Sequence, residues 1–157
     1  MSDQSRIREL LLEQMSQRNA HVDFQRAVEG LSIEETGLKP EGFDHSIWEL
    51  VEHIRVAQYD ILEFSRNPDY ESPSWPDGYW PPKQTPSDME EWQESLTAIV
   101  EDRREMEGLI KNPENDLLAP LPHGNGQTLF REAILIVDHN AYHIGQIVQL
   151  RKALGIW

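Results

Sequence analysis

Residues 134–147 read ILIVDHNAYHIGQI, and this stretch decides how the rest of the chain is interpreted. Its apolar residues recur every three to four positions, which is the spacing of one face of an α-helix. His139 and His143 are four residues apart, so both side chains project from the same face, with Cβ atoms about 5–6 Å apart. Leu135 and Ile147 lie on that face too, so the pattern points both imidazoles into the protein.

Helical periodicity extends over most of the chain, and no internal repeat interrupts it. Capping boxes of the form Ser-x-x-Glu open helices at Ser46 and Ser87, and Thr128 can cap the last helix, which Gly155 ends. Pro68 and Pro113 stop the second and third helices after Asn67 and Asn112. The four predicted spans are residues 3–28, 46–67, 87–112 and 128–154.

The connections between the predicted helices are long. Ser32 and Glu35 form another capping box, which predicts one helical turn with Gly37 as a left-handed exit. Residues 67–86 contain six prolines and four large aromatics, so we expect an ordered loop packed over the helices. Its segment 75–82 could wall a substrate pocket or simply cover one end of the protein.

Four helices that are each apolar on one side must bury those sides together. The sequence therefore predicts an all-α fold, a four-helix bundle with long connections before helices 2, 3 and 4, in a single domain over residues 1–157. The length of 157 residues suits one domain with its own core.

Composition excludes several classes of function. The chain has no cysteine, which rules out disulfides, thiolate metal sites and a cysteine nucleophile. Its 14 Lys and Arg against 28 Asp and Glu give a formal net charge of -14, which repels nucleic acid and anionic lipid. No apolar run is long enough to span a membrane, and the first residues show no signal-peptide core. We expect a cytoplasmic protein that acts on a small molecule.

A metal site is predicted from three histidines. His53 lies on the border of the buried face of the second helix, near its middle. Together with His139 and His143 it can supply three imidazoles to one ion and leave positions open for water or substrate. The same residues could instead be core histidines that are satisfied by hydrogen bonds. Asn140 stands where a His-Glu-x-x-His metalloprotease carries its general base, so that class is excluded.

Residues near the histidines have less specific interpretations. Gln146 could orient a ligand or join two helices, and Tyr142 could donate a hydrogen bond near the site or anchor the core edge. Asp138 could accept a hydrogen bond from an imidazole or remain solvated. Asp60 is predicted to pair with Arg103. The other histidines are predicted to lie at the surface; they are His21, His45 and His123.

The pattern SIWELVEHI over residues 46–54, together with DHNAYHIGQIVQLRKALG over residues 138–155, resembles the DinB/YfiT-like superfamily of damage-inducible and thiol-transferase-like proteins. Helix order and loop placement are similar over the whole chain. The specific part of the resemblance is one His on the second helix and His-x-x-x-His-x-Gly-Gln on the last.

The resemblance implies a four-helix bundle, commonly a homodimer, with one divalent metal on His53, His139 and His143. The metal is nickel, zinc, iron or manganese in different members. Some members transfer a low-molecular-weight thiol such as bacillithiol, mycothiol or glutathione, and many have no established activity. For this chain we expect a metal-dependent thiol transferase acting on an electrophilic small molecule. A metal-dependent hydrolase and a non-catalytic metal-binding or structural bundle are the alternatives.

Overall fold

The computed structural model describes residues 3–16 and 20–157. Four of the helices are long, and these are α1 (Asp3–Met15), α4 (Ile47–Arg66), α5 (Met89–Lys111) and α6 (Leu129–Leu154). Two short helices, α2 (Phe24–Val28) and α3 (Ile33–Thr36), lie between α1 and α4, and one 3₁₀ turn, Asp77–Tyr79, lies between α4 and α5. The all-α prediction is confirmed.

The long helices form a four-helix bundle. Helices α1 and α4 each pack against both α5 and α6, which places α1 and α4 diagonally across the bundle. The core consists of two apolar clusters. One surrounds Trp48, Trp92 and Ile147 at the end where α4 begins, and the other surrounds Leu62, Met106 and Ile136 at the opposite end. Within the described part of the chain, none of the helices is long and apolar enough to cross a membrane.

The prediction of one continuous helix over residues 3–28 is wrong. Helix α1 ends at Met15, and α2 begins only after Asp23, whose side chain accepts a hydrogen bond from the backbone N–H of Arg26. A carboxylate at this position satisfies a backbone donor at the start of a helix, which favours a new helix over continuation of the old one. Val22, whose spacing from Ile7, Leu11 and Met15 favoured one continuous apolar stripe, therefore precedes α2 instead of extending α1.

Most helix ends follow the predicted caps. Ser46 forms a complete capping box at the start of α4, Thr128 caps α6, and Gly155 ends α6 in the left-handed conformation. The cap of α5 is Asp88, which accepts from the N–H of Glu91, so the prediction of Ser87 is wrong by one residue. An Asp caps as well as a Ser does, and here it is the residue next to the first helical turn.

Gly37 does not make the predicted left-handed exit, because its φ is -94°. A Cβ at this position would instead lie 2.0 Å from Oγ1 of Thr85. Glycine is needed here because loop 67–86 passes directly over the end of α3. Gln84 also donates to the carbonyl of Gly37, which fastens the same loop to the same turn.

Candidate metal centre

The structure brings the three predicted histidines together. His53 comes from the middle of α4, and His139 and His143 come from adjacent turns of α6. One ring nitrogen from each lies within 4.8 Å of the other two. His53 and His143 are buried and His139 is partly buried, so the cluster lies within the bundle and not on its surface.

Hydrogen bonds fix which nitrogen of two rings carries the proton. Nδ1 of His53 lies 2.9 Å from the backbone carbonyl of Tyr79, and Nδ1 of His143 lies 2.6 Å from Oε1 of Gln146. The Tyr79 carbonyl can only accept, so Nδ1 of His53 donates; with Oε1 of Gln146 facing the ring, Nδ1 of His143 donates as well. The lone pair of each ring is then on Nε2. Neutral imidazole with one nitrogen donating to an oxygen acceptor is the usual state of a histidine metal ligand.

The third ring shows how an ion fits. Nε2 of His139 lies 3.1 Å from Nε2 of His53. Two nitrogens that bind one ion at about 2.0–2.1 Å are about 2.8–3.4 Å apart in octahedral or tetrahedral geometry, so this separation suits two ligands of the same metal. Without a cation, His139 must donate to His53 through Nε2. Its Nδ1 is buried and has no hydrogen-bond partner among the described residues.

Burial keeps these imidazoles uncharged at neutral pH. Burial lowers the pKa of His53, and the nearby His45 lowers it further, although the bond to Tyr79 opposes this. Burial, and to a smaller extent His53, lowers the pKa of His139, while Asn140 and Asp138 partly offset the change. Burial and the neighbouring His139 lower the pKa of His143 to about 4. At neutral pH a metal ion would therefore compete with few protons for these nitrogens.

Loop 67–86 closes one side of the cluster. The indole of Trp80 stacks on His53 with ring centroids 4.0 Å apart and planes 3° apart, and on His45 at 3.9 Å and 12°. Two parallel rings this close to one indole would overlap on a single face, so they lie on opposite faces. The 3₁₀ turn of this loop supplies the carbonyl of Tyr79, which accepts from Nδ1 of His53. The Tyr79 hydroxyl donates to Asp60 on α4.

Comparison with known proteins agrees with this architecture. A family model of the DinB superfamily matches residues 18–147. The chain belongs to the DinB superfamily. No curated protein and no solved structure matches it significantly. The matched range contains His53, His139 and His143, together with the 3₁₀ turn that closes the cluster.

In this DinB-superfamily protein, the three residues predicted beside the histidines have different positions. Gln146 contacts a ligand candidate directly, as described above. Tyr142 is 66 % exposed, and its ring meets the edge of the His143 ring with centroids 5.0 Å apart. Asp138 is exposed, and the imidazole hydrogen bonds seen in the described residues go to other groups. Its carboxylate acts on His139 only through its charge.

Other predictions about polar residues need correction. Asp60 does not pair with Arg103, because Asp60 accepts from Tyr79 while the guanidinium of Arg103 lies 3.7 Å from Glu107. His21 is exposed, as predicted. His45 and His123 are not surface residues but half-buried. His45 stacks on Trp80, and Nε2 of His123 donates to the carbonyl of Phe64.

A groove of about 440 Å³ lies beside the histidines. Gln146 and Tyr142 line it and also touch His143, so they separate the groove from the cluster. The remaining wall combines apolar residues with polar ones, namely Gly42, Phe43, Asp44, His45, Leu50, Gly145, Gln149 and Leu150. Sequence reasoning missed this groove because the segment 42–45 has no periodic pattern that would place it against α6.

Proposed function

We propose that His53, His139 and His143 hold one divalent metal ion and that the protein uses it to transfer a low-molecular-weight thiol to an electrophilic small molecule. The observation that carries the proposal is the convergence of three uncharged imidazoles, two of which have Nδ1 committed to oxygen acceptors. A bound nickel, zinc, iron or manganese ion would lower the pKa of a thiol or water that it coordinates.

The ligand set favours a catalytic over a structural site. Structural zinc sites use four protein ligands, whereas catalytic sites use three and keep a position open. In residues 3–16 and 20–157, the group that could hold an ion consists of three histidines. The chain has no cysteine, so a reacting thiol has to come from a small molecule.

The groove beside the cluster supports a small-molecule substrate. Its apolar wall can bury a carbon skeleton, and its carboxylate, imidazole and amide groups can orient polar substituents. Gln146 and Tyr142 line the groove on one side and contact His143 on the other. A substrate in the groove would therefore touch the residues that hold His143. Trp80 keeps water from one face of His53.

Elemental analysis tests the metal site. Protein purified without added metal is compared between wild type, His143→Ala and the control His21→Ala, which changes an exposed histidine outside the cluster whose Nδ1 lies 2.8 Å from the carbonyl of Val22. We expect one equivalent of metal in wild type and control and none in His143→Ala. Metal in none of the three, or in all of them, would overturn the proposal.

Activity is then tested with the metal-loaded protein, using thiols of different structure against a panel of electrophiles. Adduct formation that depends on metal and on His139 supports the transferase. If metal is bound but chelation unfolds the protein and no adduct forms, the site is a structural clip.

A homodimer and a cytoplasmic location also stay predictions, and sedimentation of the wild-type protein tests the first of them.

A further inference from the structure

A layer of polar side chains separates the two apolar clusters in the middle of the bundle. It contains Gln58 on α4, Arg103 on α5 and Asn140 on α6. Gln58 is 1 % exposed and Asn140 is 3 % exposed. Polar groups this deeply buried are expected to be hydrogen-bonded, because an unpaired one costs much of its solvation free energy. The partners of each atom can therefore be followed one by one.

A backbone carbonyl determines the orientation of both amides. Nε2 of Gln58 donates to the carbonyl of Ile99 at 2.7 Å, and Nδ2 of Asn140 donates to Oε1 of Gln58 at 2.8 Å. Since the carbonyl can only accept, neither amide can be flipped without losing a bond. Oδ1 of Asn140 is then an acceptor; it raises the pKa of the neighbouring His139, but it makes no hydrogen bond of regular geometry with the described residues.

Asn140 lines a small cavity between α1, α5 and α6, with a volume of about 20 Å³. Arg103 lines the same cavity, and its Nε is buried without a hydrogen-bond partner in the described part of the chain, since Oε1 of Glu107, with which it forms an ion pair, is 3.7 Å away. Gln14 and His21 also line it, and the other walls are apolar and include Met15, Ile136, Val137 and Ile144. A cavity needs about 10–15 Å³ and two to four polar partners to hold a water molecule, so this one has room for one.

We propose that Asn140 and Arg103 share one buried water molecule, and that this water and Gln58 fix the position of α6 relative to α4 and α5. A water accepts from Nε of Arg103 and donates to Oδ1 of Asn140 at the same time. A halide ion would suit the arginine but repel the amide oxygen. The resulting series of hydrogen bonds runs from the carbonyl of Ile99 through both amides and the water to Arg103.

This series of hydrogen bonds connects the helices that carry the histidines. Asn140 directly follows His139, and Gln58 lies five residues after His53 on α4. The bond between the two amides therefore ties the histidine-bearing turns of α4 and α6 together beneath the cluster. Asn140 and Arg103 are positioning residues for the imidazoles. This second half of the inference rests on the proposed metal site, whereas the water site does not.

The water is tested by a high-resolution crystal structure of the wild-type protein and of Arg103→Met. We expect a single density peak within about 3.2 Å of both Nε of Arg103 and Oδ1 of Asn140. The peak should disappear in Arg103→Met. A dry cavity, a peak that bromide replaces in a soaked crystal, or a peak that persists in Arg103→Met would each overturn the proposal.

The positioning role is tested by cobalt(II) titration of Asn140→Leu, with Ile144→Val as a matched control that trims an apolar wall of the same cavity. We expect a 10- to 100-fold loss of affinity, roughly as for other residues that orient ligands, and shifted cobalt absorption bands in Asn140→Leu. The control should keep wild-type affinity and bands. Arg103→Met, which leaves both amides in place, should lose affinity by a smaller factor.

Equal affinity in all four proteins, or equal losses in Asn140→Leu and Ile144→Val, would overturn the positioning role. If Asn140→Leu does not fold, Arg103→Met decides, since an unchanged affinity and spectrum there refute the role. If wild type binds no cobalt, the proposed metal function has failed, and the crystallographic peak still tests the water on its own.

Discussion

Gln146→Leu removes the acceptor that holds the imidazole of His143. The bond from Nδ1 to Oε1 is 2.6 Å long and directs the Nε2 lone pair of His143 toward the other two rings. Residues that orient a histidine ligand in this way typically contribute 10- to 100-fold to metal affinity. We therefore expect Gln146→Leu to weaken metal binding by that factor, which corresponds to about 1.4–2.7 kcal/mol. The metal-free fold should change by less, about 0.5–1.5 kcal/mol, which is the net contribution of one hydrogen bond.

The assay is competition titration with a chromophoric chelator, and the control is Gln149→Leu. Gln149 is exposed and lines the same groove, but its side chain has no bond to an imidazole of the cluster. Nitrogen-detected NMR of the metal-free protein adds a readout that needs no metal. The bond to Gln146 raises the pKa of His143, so the variant should lower that pKa further and mix the two ring tautomers. Wild-type affinity together with an unchanged tautomer in Gln146→Leu would refute the reasoning.

Three further predictions concern stability, and urea unfolding measures all of them. Lowering the pH from 6.5 toward 4 should destabilise the metal-free wild-type protein more than His143→Asn, because the unfolded wild-type chain takes up a proton at His143 that the folded state, with its pKa of about 4, does not. Asp102, whose pKa is raised by burial to about 6, stabilises both proteins over the same window, so the difference between the two profiles isolates His143, and parallel profiles would contradict this. Gly37→Ala should cost about 1–3 kcal/mol by overpacking against Thr85. Gly108→Ala, at an exposed position inside α5 where a Cβ meets nothing within 4 Å, should instead stabilise by about 0.5–1 kcal/mol, and the reverse order would refute the contact. Ser46→Ala should cost about 1 kcal/mol or more, because its hydroxyl caps α4 and also donates to a loop carbonyl, and a loss near zero would argue against both bonds.

Local signals predicted the bundle where they agreed with each other. Apolar spacing and the caps at Ser46, Thr128 and Gly155 place α4 and α6 correctly. The errors occurred where two local signals competed. Val22 continues the apolar stripe of α1, yet the neighbouring Asp23 begins a new helix. Periodicity cannot show such a break, because a cap of about 1 kcal/mol acts on one backbone donor and leaves the apolar pattern unchanged.

Helix register predicted that His53, His139 and His143 lie together, because residues on the buried faces of neighbouring helices meet in the core. The groups that surround them could not be predicted in the same way. The acceptor for His53 is a backbone carbonyl 26 residues further along the chain, and any residue type can supply a carbonyl. The stacking of His45 and Trp80 depends on the path of two irregular segments, for which spacing rules give no register.

The carbonyl of Tyr79 affects how this protein can evolve or be engineered. A main-chain acceptor survives any substitution at its own position, provided the backbone keeps its course, so the ring orientation of His53 is insensitive to the identity of residue 79 as such. His143 has no such protection, since Gln146 supplies its acceptor through a side chain. Substitutions at position 146 should therefore weaken the proposed metal binding. Substitutions at position 79 should matter only through loss of the hydroxyl bond to Asp60 that anchors the turn.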